Sequence, residues 1–274
     1  MCVPGCQEIV HKRLSRRGFF KGATTAAMAA GVSAIVAPTA PARAQAMSFT
    51  KSVDLTHTLG TDFPTFSGEP GLELERLHAL EKDGLNQYIW HLVEHTGTHM
   101  DAPIHFSADQ NTADEIPVDQ LVVPLVVVDI AARAADDPDT QLTPDDIEAW
   151  IKSNGELPDG CCVAMYSGWG EHVRSDMFRN ADDDGVMHFP GIHPDTSAML
   201  LERNVNGIAV DTLSLDYGQS KNFGTHYSWL PAGRWGLECV ANLADVPASG
   251  ATMVVGGPKI EGATGGPSRI IALV

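Results

Sequence analysis

The chain holds 274 residues, of which 43% are apolar and 19% charged, with 26 glycines and 17 prolines. That composition fits a folded, turn-rich globule and excludes a disordered chain or a long coiled coil. A net charge of −17 disfavours nucleic acid and anionic lipid as partners, and nothing beyond the N-terminus has the roughly 18 unbroken apolar residues of a membrane span.

The first 46 residues differ from the rest. They carry Lys12, Arg13, Arg16, Arg17, Lys21 and Arg43 against one acid, Glu8. Ser15-Arg16-Arg17-Gly18-Phe19-Phe20-Lys21 resembles a twin-arginine export signal. A weakly apolar, small-residue stretch runs from Gly22 to Ala40, and Ala44-Gln45-Ala46 offers a cleavage site. The expectation is a signal over residues 1–46 and one domain over 47–274, exported by the twin-arginine route to the periplasm or beyond. After cleavage no stable membrane insertion is expected; a membrane-anchored or disordered tail is the alternative. Without the signal, 12 basic residues face 34 acids, a net charge near −22, so the acidity belongs to the folded part. Cys161, Cys162 and Cys239 remain, an odd number with no disulfide framework. Cys161-Cys162 opens an apolar run and reads as buried strand thiols.

In chain order, Gln87–Glu94 mixes aromatic, β-branched and polar residues and reads as a strand. Val122–Ile130 is nearly all apolar, as a strand covered on both faces would be. Thr143-Pro144-Asp145-Asp146 starts a helix, with Thr at the N-cap, Pro at N1 and acids in the first turn; it ends at Asn154-Gly155. Cys161–Tyr166 reads as a strand, and His193-Pro194-Asp195 begins a second helix that runs to Arg203. Gly207–Val210, Thr252–Val255 and Ile270–Val274 are further strands. Interleaved strands and helices predict a mixed α/β domain. The acidic stretches Asp136–Asp139 and Asp182–Asp184 lack EF-hand spacing and read as solvated loops.

Three histidines crowd into eleven residues, His95-Thr96-Gly97-Thr98-His99-Met100-Asp101-Ala102-Pro103-Ile104-His105. Imidazole and carboxylate together bind divalent cations such as zinc and manganese. With His95 closing a strand, Gly97 permits a sharp turn, and His99 and Asp101, two apart in extended chain, face the same way. Pro103 stiffens that presentation. His95, His99 and Asp101 are therefore candidate ligands, and two imidazoles with one carboxylate leave coordination positions open for catalysis. Thr96 and Gly97 exclude the helical zinc-protease motif. His105, just beyond, is the candidate catalytic residue, able to take a proton from activated water and pass one to a leaving group. A second patch, Thr225-His226-Tyr227-Ser228-Trp229-Leu230-Pro231 with Glu238 downstream, reads by itself as a surface turn and a core ion pair.

The eleven-residue motif resembles the signature of the cyclase-like metal-dependent hydrolases, which include bacterial kynurenine formamidases and isatin hydrolases. Asp54-Leu55-Thr56, Gly207-Ile208-Ala209-Val210-Asp211-Thr212, Gly256-Gly257-Pro258-Lys259-Ile260 and Gly265-Gly266-Pro267-Ser268-Arg269 resemble further family segments. The resemblance implies a compact α/β domain around a mostly antiparallel, barrel-like sheet with flanking helices. It puts the first metal on His95, His99 and Asp101 and the catalytic role on His105. In binuclear members a second metal shares the aspartate with a His and a Glu, here His226 and Glu238; other members hold one metal, often manganese. Members are homo-oligomers, so a homodimer or homotetramer is expected.

The chemistry expected is hydrolysis of an amide, lactam or N-formyl carbon–nitrogen bond in a small molecule, using one or two zinc or manganese ions per subunit. Phe63 and Phe66, in an aromatic loop, are candidate substrate contacts; Trp90 and Trp229 are weaker ones. A metal-dependent lyase or dehydratase with His105 as base, or a non-catalytic periplasmic metal-binding protein, are the rival readings. The chain has no Gly-x-Ser-x-Gly elbow, Walker loop or dinucleotide fingerprint.

Overall fold

The structure, a computed structural model, describes residues 48–274. The expected signal and its cleavage site lie outside the described residues. Thirteen strands are present among those described: β1 (Ser52–Asp54), β2 (Leu72–His78), β3 (Gln87–Leu92), β4 (His99–Asp101), β5 (Val122–Asp129), β6 (Gln141–Leu142), β7 (Cys162–Tyr166), β8 (Gly191–Ile192), β9 (Gly207–Val210), β10 (Trp235–Glu238), β11 (Ala251–Gly256), β12 (Gly265–Pro267) and β13 (Arg269–Leu273). The α-helices are α1 (Leu80–Asp83), α2 (Ala131–Asp136), α3 (Pro144–Asn154), α4 (Pro194–Glu202) and α5 (Gly224–Trp229).

Nine strands form one mixed sheet in the order β1-β13-β11-β5-β7-β9-β10-β4-β12. The four central strands, β5, β7, β9 and β10, run parallel, and the pairings on either side are antiparallel. The expected antiparallel character thus holds for the flanks and not for the middle. The reason is connectivity: α3 lies between β5 and β7 and α4 between β7 and β9, and such crossovers return the chain parallel to itself. The sheet curls into a half-barrel. Thr56, past β1, bridges Val240, past β10, and a single residue, Ser268, carries the chain from β12 at one edge to β13 near the other.

Side-chain alternation sorts the core. On β5, Val123, Leu125 and Val127 face the enclosed side with Cys162, Ala164, Ala209, Met253 and Leu237. Val126 and Val128 face outward with Cys161, Val163, Met165, Ile208 and Val210, beneath Ile147 and Trp150 of α3 and Leu200 of α4. Both faces are covered, which explains the unbroken apolar sequence of β5. Helix α3 starts at Thr143, as its capping residues predict, and ends at Gly155, whose φ is +97°. Cys161 and Cys162 are buried, unpaired thiols, and burial pushes Cys161 up to about 12. The strand expected over Gln87–Glu94 stops at Leu92 and pairs only with β2, in a hairpin apart from the main sheet whose residues are almost all exposed.

Gly207 of β9 lies in register with Trp235 of β10, and a methyl group there would meet the fully buried indole at 2.2 Å. Gly207→Ala is therefore expected to cost about 1–3 kcal/mol through overpacking, read as a lower midpoint in denaturant unfolding; an unchanged midpoint contradicts this packing.

Candidate metal centre and active site

The site is built on strand register. His99 and Asp101 occupy alternate positions of β4 and share a face. Antiparallel pairing sets Glu238 of β10 directly opposite His99 and Gly236 opposite Asp101, so a third ligand-type side chain joins the same face. His226 comes from another direction, on the short helix α5. That helix is anchored at its start by Asp216, whose carboxylate accepts the backbone N–H groups of Thr225 (2.9 Å) and His226 (3.2 Å).

The four side chains converge while almost fully buried. His99 Nε2 stands 3.3 Å from Asp101 Oδ1 and 3.3 Å from Glu238 Oε2; His226 Nε2 stands 3.3 Å from Asp101 Oδ2 and 3.3 Å from Glu238 Oε1. Their tautomers are set from behind. His99 Nδ1 donates to the carbonyl of Gly97 at 2.8 Å, which the left-handed turn at Gly97 (φ +73°) makes possible. His226 Nδ1 donates to Asp216 Oδ2 at 2.6 Å. Both rings therefore turn Nε2 toward the carboxylates, the usual orientation of histidine ligands held by a hydrogen bond at the other nitrogen.

This donor set fits a divalent cation. His99 Nε2 and Asp101 Oδ2 are buried and make no hydrogen bond. The four 3.3 Å separations exceed a charge-assisted hydrogen bond and match two donors sharing an ion at roughly 2.0–2.2 Å. Charge gives the same answer. Burial disfavours a protonated His99, yet Asp101 and Glu238 prevail and lift it to about 10. His226 is raised well above its usual value against the same burial penalty, by Asp101, Asp216 and Glu238. Burial would raise Asp101, but His226, His95 and His99 hold it well below the carboxylate range. The carboxylates demand positive charge at this point, as protons or as a cation.

His95 stands to one side. It lies in the bend after β3, not at a strand end, with Nδ1 2.7 Å from Asp101 Oδ1 and Nε2 3.0 Å from Thr264 Oγ1. The ring of His105 stacks on it, centroids 3.8 Å apart, and the ligand atoms of His95, Asp101 and His105 form a second close group. His105 is half-buried. Burial lowers its pKa from 6.5, and the charge of Asp101 offsets only part of that, so the ring is a neutral base near pH 7.

A cavity of about 260 Å³ opens onto these histidines, walled by Pro64, Phe66, Phe106, Leu213 and Phe223. Phe66 faces it and Phe63 does not: Phe63 is 4% exposed and packs against Phe178 in a separate core with Trp169 and Phe189. Trp90 sits exposed on the β2–β3 hairpin, and Trp229 is fully buried, its indole N–H donating to the carbonyl of Trp235. Sequence reasoning missed Asp216, Phe106 and Phe223. Phe106 directly follows the histidine motif, a signal that was available; Asp216 meets His226 only through the turn into α5.

Residues 53–217 match the sequence model of a family described as "Putative cyclase". The chain belongs to the cyclase family. Over 241 residues it is 33% identical to an isatin hydrolase of Roseibium aggregatum, covering 81% of this chain and 91% of that one. A kynurenine formamidase of Salinibacter ruber is 28% identical over 180 residues, 66% of this chain and 76% of its own. Among solved cyclase-family structures, an isatin hydrolase bound to the product analogue thioisatinate superposes with a TM-score of 0.77 at 32% identity, covering 82% of this chain and 92% of that one. These relatives are hydrolases.

Two outcomes follow from the geometry. Near neutral pH, Zn²⁺ must displace protons from His99 and His226, so binding is expected to release roughly one to two protons per ion, measured by calorimetry in buffers of different ionisation enthalpy. Asp216→Asn, which weakens the hold on His226, is expected to reduce Zn²⁺ affinity about 10–100-fold in a chelator competition.

Proposed function

We propose that this cyclase-family protein is a metal-dependent amidohydrolase that opens the carbon–nitrogen bond of a small aromatic cyclic amide, a lactam of the isatin kind, in preference to an N-formyl amine. The observation that carries the reading is the cavity: aromatic walls from Phe66, Phe106 and Phe223 lead to the His99, Asp101, His226 and Glu238 cluster, and no Lys or Arg lines it among the described residues. An uncharged, flat ring amide suits such walls. An α-amino acid group on the substrate, as kynurenine derivatives carry, would find no Lys or Arg in this lining for its carboxylate. The names of the relatives, isatin hydrolase above kynurenine formamidase in identity and coverage, support the same order.

His99, Asp101, His226 and Glu238, with His95 beside Asp101, would hold the ion, zinc or manganese, in one or two sites per subunit. When bound, a divalent ion supplies Lewis acidity and makes water a competent nucleophile at neutral pH. His105 takes one proton from the attacking water. As the carbon–oxygen bond forms and the carbon–nitrogen bond breaks, His105 returns that proton to the leaving nitrogen, giving an amine and a carboxylic acid, which loses its remaining water-derived proton to solvent as the carboxylate. The stack on His95 fixes the His105 ring, and Phe106 packs edge-on against it, with Phe223 behind Phe106.

The protein works as a homodimer or homotetramer in this reading, a state that would cover Leu74, Leu77, Tyr88, Ile89 and Trp90, all exposed on the β2–β3 hairpin. Its leader, by resemblance, directs it to the periplasm or beyond through the twin-arginine route.

His105→Ala is expected to lower kcat about 10²–10⁴-fold while Zn²⁺ affinity stays within a few-fold; full retained turnover removes His105 from the mechanism. Because the neutral form of His105 is the active one and its pKa is lowered, kcat/KM is expected to hold as pH falls to 6.5 and to drop only below it. Hydrolysis in ¹⁸O-water places the label in the product carboxylate; an unlabelled product would point to a lyase.

A further inference from the structure

His95 differs from the other two site imidazoles in how it is held. His99 and His226 give their Nδ1–H to acceptors outside the centre and turn Nε2 inward. His95 is reversed: Nδ1 faces Asp101 and Nε2 faces the hydroxyl of Thr264 at 3.0 Å. That hydroxyl lies 2.6 Å from Glu94 Oε2, and the backbone N–H of Thr264 donates to Glu94 Oε1 at 3.3 Å.

The proton inventory of this chain settles the direction. Thr264 Oγ1 donates to Glu94 Oε2, and a hydroxyl has only that one proton to give. The oxygen then has only lone pairs for His95, so Nε2 must carry a hydrogen; Nδ1, 2.7 Å from Asp101 Oδ1, donates to that carboxylate while it keeps its own hydrogen and is the nitrogen that can yield it to a cation. The fold keeps all three groups in place. Thr264 immediately precedes β12, whose Gly265 pairs with Asp101, and its carbonyl accepts the N–H of Ala102. Gly265 is required there: a methyl group would lie 2.7 Å from His95 Cε1 and 2.4 Å from the Met100 carbonyl.

We propose that Glu94 and Thr264 are positioning residues that lock His95 as its Nε2–H tautomer, so that it presents Nδ1 to a divalent ion shared with Asp101. This rests on the metal-dependent reading above. It makes the centre one with two kinds of histidine, Nε2 ligands on the His226 side and an Nδ1 ligand on the His105 side. It also explains why His105 stacks on the His95 ring: a ring held at both nitrogens is a fixed platform.

The test joins a spectroscopic and a binding readout. In ¹⁵N-histidine two-bond correlation spectra of the Zn²⁺-loaded protein, His95 is expected to show a protonated Nε2 and an unprotonated Nδ1, opposite to His99 and His226; the same tautomer at all three overturns the proposal. Thr264→Val keeps the shape but removes the hydroxyl, and is expected to weaken Zn²⁺ binding in chelator competition about 10–100-fold, with Thr264→Ser restoring it. Wild-type affinity in a folded Thr264→Val variant overturns the proposal while leaving the enzyme reading intact. A wild-type protein that binds neither Zn²⁺ nor Mn²⁺ overturns both.

Discussion

Two carboxylates buried side by side are the constraint around which the rest of this protein is arranged. Asp101 and Glu238 lie on neighbouring strands and share the same two imidazole nitrogens at 3.3 Å. An uncompensated charge in such a place costs several kcal/mol. The surrounding side chains answer with positive charge, by protonating His99 and His226 or by accepting a cation. A divalent ion carries the same charge as those two protons, so the site exchanges one for the other with little change in its electrostatics. Holding the carboxylates together requires backbone pairing, and β4 and β10 supply it through direct opposition of His99 and Glu238.

The curled sheet serves that requirement. Its parallel middle is locked between two apolar layers and carries β10 as an extension of the rigid core. The antiparallel end then brings β4 and β12 alongside β10, so the histidine motif is gripped on both sides. Glycine occupies Gly236 and Gly265, the two neighbours of Asp101 in register, where larger residues would strike Leu215, His95 or the Met100 carbonyl. Precision at the site thus comes from strands, while the cavity walls, Phe66, Phe106 and Phe223, come from loops and short turns that can vary without disturbing the donors.

Much of the architecture was legible in local sequence. Val122–Asp129, Cys162–Tyr166 and Gly207–Val210 are unbroken apolar runs because both faces of those strands are covered, and α3 is written in Thr143, Pro144 and Gly155. The short strands β4, β10 and β12 were not legible: three or four residues carry too little periodicity, and their pairing partners lie far away in the chain. The hairpin β2–β3 was read only in part, because its exposed alternation resembles that of any edge strand.

For the site, the sequence by itself determined the donor chemistry. Three histidines and an aspartate within eleven residues, turned by Gly97, are close in space whatever the rest of the chain does. It could not determine which of them share one point. His226 and Glu238 come from 121 or more residues beyond His105 along the chain and join His99 and Asp101 only through strand pairing and the Asp216 anchor. Nor could it separate Phe63 from Phe66: three positions apart in one loop, one ring fell into a core and the other onto the cavity. Local composition sets what a side chain is able to bind, but the direction in which it points is decided by long-range register and by what packs behind it.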